Sequence, residues 1–261
     1  MFIPLYDSNH LRHIKHQYVT IGLIVLNVAV YFLTSSSDEY TVQARMLGLG
    51  YIPSVAFDKA ILPAELTIVP SLLTYVTYAF LHNDIFHLGG NMLFLWVFGD
   101  NVEDALGYFR YLVFYLACAV AGALVHGLVA PDSQAPLIGA SGAIAGIVTA
   151  YLILYPRVKV WVLAFARIPL RIPAYIVLAL WILTQLVMFF AGGDDQISWA
   201  CHVGGIVTGA VLVLVLRSRG VPLLESGDEA AAPADPGSQP LQPPLPPNPP
   251  PRWGRSGSSG S

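Results

Sequence analysis

Charged residues are scarce in this chain. Only 11% of its 261 residues are Asp, Glu, Lys or Arg, whereas a soluble domain carries about 25%. The formal net charge is -3, so we expect no nucleic-acid partner, which would require a basic surface. The chain has two cysteines, Cys118 and Cys201, both in apolar runs. These are too few for a disulfide framework. What is abundant is hydrophobic side chains, at 55%, and this predicts a protein embedded in the lipid bilayer.

The hydrophobic residues fall into six runs, and the first lacks the small-residue cleavage site of a removed signal peptide. The runs are Tyr18–Thr34, Asn83–Gly99, Tyr111–Ala130, Ser141–Tyr155, Pro173–Ala191 and Trp199–Leu216. A helix needs about 20 residues to cross about 30 Å of hydrocarbon, and most runs approach that length with their flanks. We therefore predict an all-α membrane protein, a bundle of six transmembrane helices over residues 18–217.

The flanking segments indicate the orientation of this bundle. Residues 1–17 are predicted to be a cytoplasmic N-terminal segment, and residues 218–261 a disordered Pro/Gly/Ser-rich tail. Lys and Arg concentrate at both ends and in the loop after the fourth run, which places both termini in the cytoplasm. The loop Gly192–Gln196 is then external. This charge pattern, and the absence of a transit peptide, favour a bacterial cytoplasmic membrane.

Four polar residues occupy similar depths in this topology. His87 and Asn91 lie in the second run, Ser141 begins the fourth, and His202 lies about one turn into the sixth. These three runs all cross from outside to inside, so the four side chains converge near the outer face. Polar groups inside membrane spans are costly and are usually functional.

The fourth run is short. At about 15 residues it extends about 22 Å, so Ser141 is expected to lie below the outer surface. The preceding stretch, 136–140, must then be non-helical at membrane depth, which is tolerated only within protein or beside a wet cavity. We therefore predict a submerged active-site cavity that opens to the outer face.

Glycines indicate close contact between the fourth and sixth helices. His202, Gly205 and Gly209 share one helix face, and Gly142 begins a second small-residue face beside Ser141. Small residues let helix backbones approach closely, so the Ser141 hydroxyl is expected to reach the His202 ring. Cys201 points about 100° away from its neighbour His202, which argues against a cysteine nucleophile.

Each signal also has a purely structural interpretation. The run Gly139–Gly142 is typical of helix packing, His202 of a hydrogen-bonded interior histidine, and His87 with Asn91 of polar contacts between helices. His82 is interpreted as a structural hydrogen-bonding residue near the surface. The coincidence of these residues at one depth on three parallel helices favours a catalytic site.

Three segments together resemble the rhomboid family of intramembrane serine proteases. They are HNDIFHLGGNM (82–92), GASG (139–142) and CHVGGIVTG (201–209). The resemblance implies a Ser–His dyad without an aspartate, with Ser141 as nucleophile and His202 as general base and acid. It also implies an oxyanion site formed by His87, Asn91 and the Ser141 backbone N–H, with Gly139 allowing a tight bend. Membrane-protein substrates would enter from the bilayer past the fifth helix and its external loop, and no cofactor or metal is expected.

Two features depart from the family pattern: the Trp-Arg pair that many members carry in the first external loop is absent, and so is an aromatic residue near the serine. Many members carry an aromatic residue four positions after the serine, stacked on the histidine, and this chain has Ala145 there. What orients His202 is therefore left open, as are the substrate and the oligomeric state. A zinc protease is disfavoured because His82 and His87 do not form the required His-Glu-x-x-His motif. A rhomboid-like protein that binds membrane clients without cleaving them remains the main alternative.

Overall fold

The structure is a computed structural model and describes residues 2–164, 167–192 and 198–225. Most of these residues are helical. Two short 3-10 helices are also present, at Ala64–Leu66 and Tyr78–Phe80. The helices are α1 Tyr18–Ser35, α2 Glu39–Leu49, α3 Pro53–Ala56, α4 Ser71–Thr77, α5 Ile85–Leu106, α6 Tyr108–Val129, α7 Ser141–Leu154, α8 Ala174–Ala191 and α9 Trp199–Leu216. The strands are β1 Phe2–Asp7, β2 Lys159–Ala164 and β3 Ile168–Pro173.

Each of the six predicted hydrophobic runs contains a helix. Within the described ranges, four of these helices, α1, α6, α8 and α9, are long and apolar enough to cross a membrane. A fifth candidate is the pair Ala64–Phe80 and α5, which is bent by 82°. Helix α7, with 14 residues, is apolar but shorter. The protein is thus a mostly helical, multi-pass membrane protein.

The buried core surrounds α7. Most of its side chains are buried, including the large residues Ile147 and Tyr151, because α5, α6 and α9 pack around it. Helix α8 is different, since only Ala174, Val177, Leu178 and Gln185 are buried along its 18 residues. A helix that is apolar on nearly every face, yet has few protein contacts, is expected to face lipid.

A small antiparallel sheet, in the order β1-β2-β3, accompanies the helices in the described chain. No strand is predicted from the sequence, because prolines interrupt β1 and β3 and β2 is almost uniformly apolar. The alternation appears only in the structure, where Val160, Val162 and Ala164 of β2 are buried. Part of the segment 1–17 is therefore a strand that pairs with the chain after α7.

Two buried acids at the C-terminal end of α5 bind the N-terminal segment. Their carboxylates accept five backbone N–H groups at 2.7–3.0 Å: those of Arg12, His13 and Ile14 at Asp104, and those of Val19 and Thr20 at Glu103. Such bonds satisfy amides at the start of a helix, which have no acceptor within it. Glu103 therefore caps α1 from another helix.

The stretch 218–225, at the start of the predicted tail, contacts the C-terminal end of α7. The Leu224 and Glu225 backbone N–H groups donate to carbonyls at the C-terminal end of α7, those of Ile153 and Leu154, at 3.0 and 2.9 Å. The stretch 218–225 is therefore packed on the helices, because it supplies donors that the end of α7 lacks. The rest of the predicted tail, 226–261, lies outside the described residues.

Candidate active site

Ser141 is the first residue of α7 and follows a non-helical stretch, as the sequence predicts for residues 136–140. Protein groups satisfy the backbone of that stretch. Leu137 exchanges two backbone hydrogen bonds with Tyr51, and the Gly139 N–H donates to the Tyr78 carbonyl at 2.9 Å. Gly139 has a φ of +116°, a conformation that side chains disfavour. The bend therefore leads the chain into α7 with Ser141 at its N-terminus.

The glycines of α7 and α9 bring the two helix backbones into contact. A Cβ atom added at Gly205 would overlap the carbonyl oxygen of Gly142, and one at Gly209 would lie 2.5 Å from atoms of Gly146. The small-residue faces that the sequence predicts on α7 and α9 thus pack against each other along one continuous contact. Ala145 also lies in this contact, because a Cβ atom added at Gly205 would be 3.3 Å from the Cβ atom of Ala145.

This contact brings Ser141 and His202 together. The Nε2 atom of His202 lies 2.9 Å from Ser141 Oγ, within hydrogen-bond distance. The His202 side chain is buried, whereas Ser141 is partly exposed. The structure therefore pairs a partly exposed serine with a shielded imidazole.

The other ring nitrogen of His202 contacts a residue that the sequence interpretation missed. Its Nδ1 atom lies 2.8 Å from Oε1 of Gln185 in α8. The Trp181 and Trp199 rings flank the imidazole, with centroids 6.1 and 6.0 Å away. In the sequence, Gln185 stands out only as a polar side chain within an otherwise apolar run. The sequence does not indicate that its amide faces His202.

His87 and Asn91 lie beside the bend that precedes Ser141. A Cβ atom at Gly139 would be 2.8 Å from Cε1 and Nε2 of His87 and 3.9 Å from Nδ2 of Asn91. The Nδ2 group of Asn91 is buried and has no hydrogen-bond partner among the described residues. A buried donor without an acceptor is costly, so this group is available for a ligand.

The remaining predicted residues surround this centre. His82, interpreted from the sequence as a hydrogen-bonding residue near the surface, is instead completely buried, and both of its ring nitrogens lack a hydrogen-bond partner among the described residues. Its ring centroid lies 5.0 Å from that of His87. The Cys201 thiol lies against Gly142 and the Tyr78 hydroxyl. In the described parts of the chain, no cluster of His, Cys, Asp or Glu could hold a metal ion. Of the predicted external loop Gly192–Gln196, residues 193–196 lie outside the described residues.

His126 has a partner that the sequence did not reveal. Its Nδ1 atom lies 2.7 Å from Oγ of Ser198, which also accepts the Cys201 backbone N–H at the start of α9. The contact joins the end of α6 to the start of the helix that carries His202. Because Ser198 lies 72 residues from His126, sequence spacing could not suggest the pair.

The family model and the curated relatives that match this chain all belong to one family. The family model described as Rhomboid domain matches residues 70–219. The chain is 25% identical over 218 residues to RHOMBOID-like protein 12, mitochondrial, of Arabidopsis thaliana, covering 77% of this chain and 59% of that protein.

Two further relatives extend this similarity to fungi. The chain is 26% identical over 175 residues to Rhomboid protein 1, mitochondrial, of Saccharomyces cerevisiae, covering 65% of this chain and 49% of the relative. It is 30% identical over 179 residues to Rhomboid-type serine protease 2 of Emericella nidulans, covering 62% of this chain and 33% of that protein. The chain thus spans about half the length of these curated relatives, or less.

Proposed function

This chain belongs to the rhomboid family, and from that premise we propose that it is an intramembrane serine endopeptidase with Ser141 as nucleophile. The observation that carries the proposal is the 2.9 Å contact between Ser141 Oγ and His202 Nε2. A serine hydroxyl is a weak nucleophile until a base at that distance accepts its proton. One relative, named a rhomboid-type serine protease, supports the same chemistry.

The proposed reaction proceeds through an acyl-enzyme. Ser141 Oγ attacks the peptide carbonyl carbon while His202 Nε2 accepts the hydroxyl proton. The tetrahedral intermediate then collapses, the C–N bond breaks, and His202 returns the proton to the leaving amine. Water next attacks the ester, with His202 again accepting a proton and returning it to Ser141. No cofactor or metal takes part.

We propose that three donors stabilise the oxyanion of the tetrahedral intermediate. The Ser141 backbone N–H is at the start of α7, where helix amides have no internal acceptor. The buried Nδ2 group of Asn91 has no partner in the described chain, and the His87 ring lies against Gly139 beside it. Donors already in place cost no reorganisation when negative charge develops on the substrate oxygen.

The proposed topology has six spans, α1, α5, α6, α7, α8 and α9, with both termini in the cytoplasm. Helix α7 has 14 residues and extends about 21 Å, less than the hydrocarbon thickness of about 30 Å. Its N-terminal Ser141 would then lie below the outer surface in a cavity that admits water. Substrates would be transmembrane segments of other membrane proteins, which reach the site from the bilayer past α8.

The membrane in which the protein resides stays a prediction. The sequence favours a bacterial cytoplasmic membrane, whereas two of the relatives described above are mitochondrial proteins of a plant and a yeast. These relatives support a multi-pass membrane location without supporting the bacterial one.

Cleavage by the purified protein tests the proposed function. In liposomes, the protein is expected to cleave a single-pass substrate with small residues near its outer membrane end. Ser141→Ala and His202→Ala should each abolish cleavage while the apparent melting temperature stays within a few degrees of the parent. A fluorophosphonate should label Ser141 and no other serine. Undiminished cleavage by Ser141→Ala would refute the proposal, and a folded protein that neither cleaves nor is labelled would instead be a client-binding member of the family.

A further inference from the structure

The imidazole of His202 is held on both of its nitrogen atoms. Nε2 contacts Ser141 Oγ at 2.9 Å, and Nδ1 contacts Gln185 Oε1 at 2.8 Å. Ala145, four residues after the serine, offers no ring to stack on the imidazole and is enclosed between α7 and α9. The orientation of His202 must therefore come from another helix, and α8 supplies the contact.

The direction of the Gln185 amide follows from its second hydrogen bond. Its Nε2 group donates to the backbone carbonyl of Trp181, one turn earlier in α8, at 2.9 Å. A carbonyl oxygen can only accept, so this atom must be the amide nitrogen and the atom facing His202 must be Oε1. Since Oε1 also only accepts, His202 Nδ1 must carry the proton.

This assignment determines the chemistry at the other side of the ring. A neutral imidazole carries one N–H, so a protonated Nδ1 leaves Nε2 with a lone pair. That lone pair faces the Ser141 hydroxyl. The opposite tautomer would direct an N–H at the nucleophile and could not accept its proton.

We propose that Gln185 is a positioning residue that holds His202 in the Nδ1–H tautomer, with the basic nitrogen towards Ser141. The catalytic consequence rests on the proposed function, whereas the tautomer itself does not. Gln185 thus occupies the role that an aspartate takes in Ser-His-Asp enzymes, but as a neutral acceptor on a membrane helix.

Gln185 is the one polar residue among the four buried residues of α8. Its side chain is 4% exposed, whereas its neighbours Leu183 and Val187 are 55% and 53% exposed. Burying an amide is unfavourable unless both its donor and its acceptor are bonded. In Gln185 the donor bonds to its own helix and the acceptor to His202, so the site uses both polar groups.

The kinetic experiment compares two substitutions on α8. Gln185→Met keeps the length and most of the volume of the side chain but removes the acceptor. Thr184→Val is the matched control, because the adjacent Thr184 is exposed and its hydroxyl bonds only to the Leu180 carbonyl among the described residues. We expect Gln185→Met to lower kcat by about 10- to 100-fold, with KM within about twofold, because the reactive tautomer and ring orientation become partly populated. Thr184→Val should change neither constant.

A spectroscopic measurement isolates the tautomer from folding and from activity. The protein labelled with ¹⁵N-histidine in detergent micelles at about pH 8 gives imidazole signals that distinguish Nδ1–H from Nε2–H. The His202 signals are those that His202→Ala removes. We expect Nδ1–H in the parent and in Thr184→Val, and a mixture or Nε2–H in folded Gln185→Met.

The outcomes separate the two proposals. If folded Gln185→Met keeps the Nδ1–H tautomer and its kcat stays within twofold of the parent, the role of Gln185 is refuted. If the parent protein cleaves nothing, the proposed protease function fails, yet the tautomer comparison still decides what Gln185 does. If Gln185→Met unfolds, Gln185→Asn, which keeps both polar groups but cannot reach as far, replaces it under the same criteria.

Discussion

At the scale of single residues, the free donor of Asn91 gives the clearest expectation. Its Nδ2 group is buried without a partner in the described chain, so it gains a hydrogen bond only when a ligand oxygen arrives. Asn91→Ala should therefore lower kcat by about 10²- to 10³-fold with little change in KM, because the interaction forms in the transition state. Steady-state cleavage kinetics measure this.

The same substitution should not weaken the fold. Removing a buried polar group that has no partner costs little and can stabilise a protein. The apparent melting temperature of Asn91→Ala should equal or exceed that of the parent. A large decrease, with kcat lost only in proportion to folded protein, would show that Asn91 is structural and leave the oxyanion to other donors.

The sequence points to Ser141, His202, His87 and Asn91 as candidate site residues because each is a polar group within an apolar run. It does not identify the partner of His202. Gln185 is also a polar group in such a run, but its role depends on how α8 is rotated against α9, and α8 has too few buried positions to define a face. Gln185 and His202 are 17 residues apart in the chain and lie on different helices. Their contact thus depends on helix packing, which the periodicity of the sequence does not reveal.

At the scale of elements, the contact between α7 and α9 sets the distance within the dyad. Because a Cβ at Gly205 would overlap the Gly142 carbonyl, Gly205→Ala must separate the helices. We expect a loss of about 3 kcal/mol in the free energy of unfolding and a loss of cleavage, measured by denaturant unfolding in micelles and by substrate assay.

A second glycine provides the control for this substitution. Nothing lies within 4 Å of a Cβ added at Gly22 in α1. Gly22→Ala should leave cleavage unchanged and raise stability by up to about 1 kcal/mol, since alanine favours the helix. If the two variants behave alike, the close contact of α7 with α9 is not what holds the dyad together.

The sheet carries a buried acid, Asp7, whose ionisation makes the stability of the fold depend on pH. Asp7 of β1 is buried and accepts hydrogen bonds from the Tyr151 hydroxyl and from Asn101 Nδ2. Burial raises the pKa of the Asp7 carboxyl from 3.8 to about 6, although the Tyr151 bond opposes this. Between these values the folded protein binds more protons than the unfolded chain. Stability from Asp7 is therefore fully present below about pH 4 and is lost as the pH rises through about 6.

Asp7→Asn tests this expectation, because asparagine keeps an acceptor oxygen and cannot ionise. The decrease in unfolding free energy between pH 4 and pH 7 should be smaller by about 1–3 kcal/mol in the variant. Denaturant unfolding at the two pH values, parent against variant, measures it. Identical decreases would mean that Asp7 does not titrate on folding in this range.

At the scale of the whole molecule, the stretch 218–225 contacts both the end of α7 and the N-terminal segment. The backbone N–H groups of Leu224 and Glu225 cap the end of α7, and the Glu225 carboxylate pairs with Arg12. A chain that stops after Gly227 keeps these contacts and serves as the reference. A chain that stops after Arg217 should unfold at least about 5 °C lower, because the last carbonyls of α7 lose their donors. Equal melting temperatures would show that the stretch 218–225 contributes nothing.

The mostly helical, membrane-spanning character of the chain follows from the sequence because long apolar runs leave few alternatives in a bilayer. The sheet and the position of the stretch 218–225 do not, since they depend on partners far along the chain. Strand β1 pairs with β2, more than 150 residues later, and Glu225 pairs with Arg12 across 213 residues. No local pattern records such pairings, so the sequence predicts only a cytoplasmic segment at 1–17 and a disordered tail from residue 218.

The carboxylate of Glu103 has a consequence for the order of biosynthesis. It supplies the acceptor for the Thr20 amide at the start of α1, yet it is encoded 83 residues later. At about 5–20 residues per second, a ribosome makes that acceptor roughly 4–17 s after it adds Thr20. The first helix to be synthesised is therefore not the first to be completed, because its leading amides lack this acceptor until Glu103 has been made.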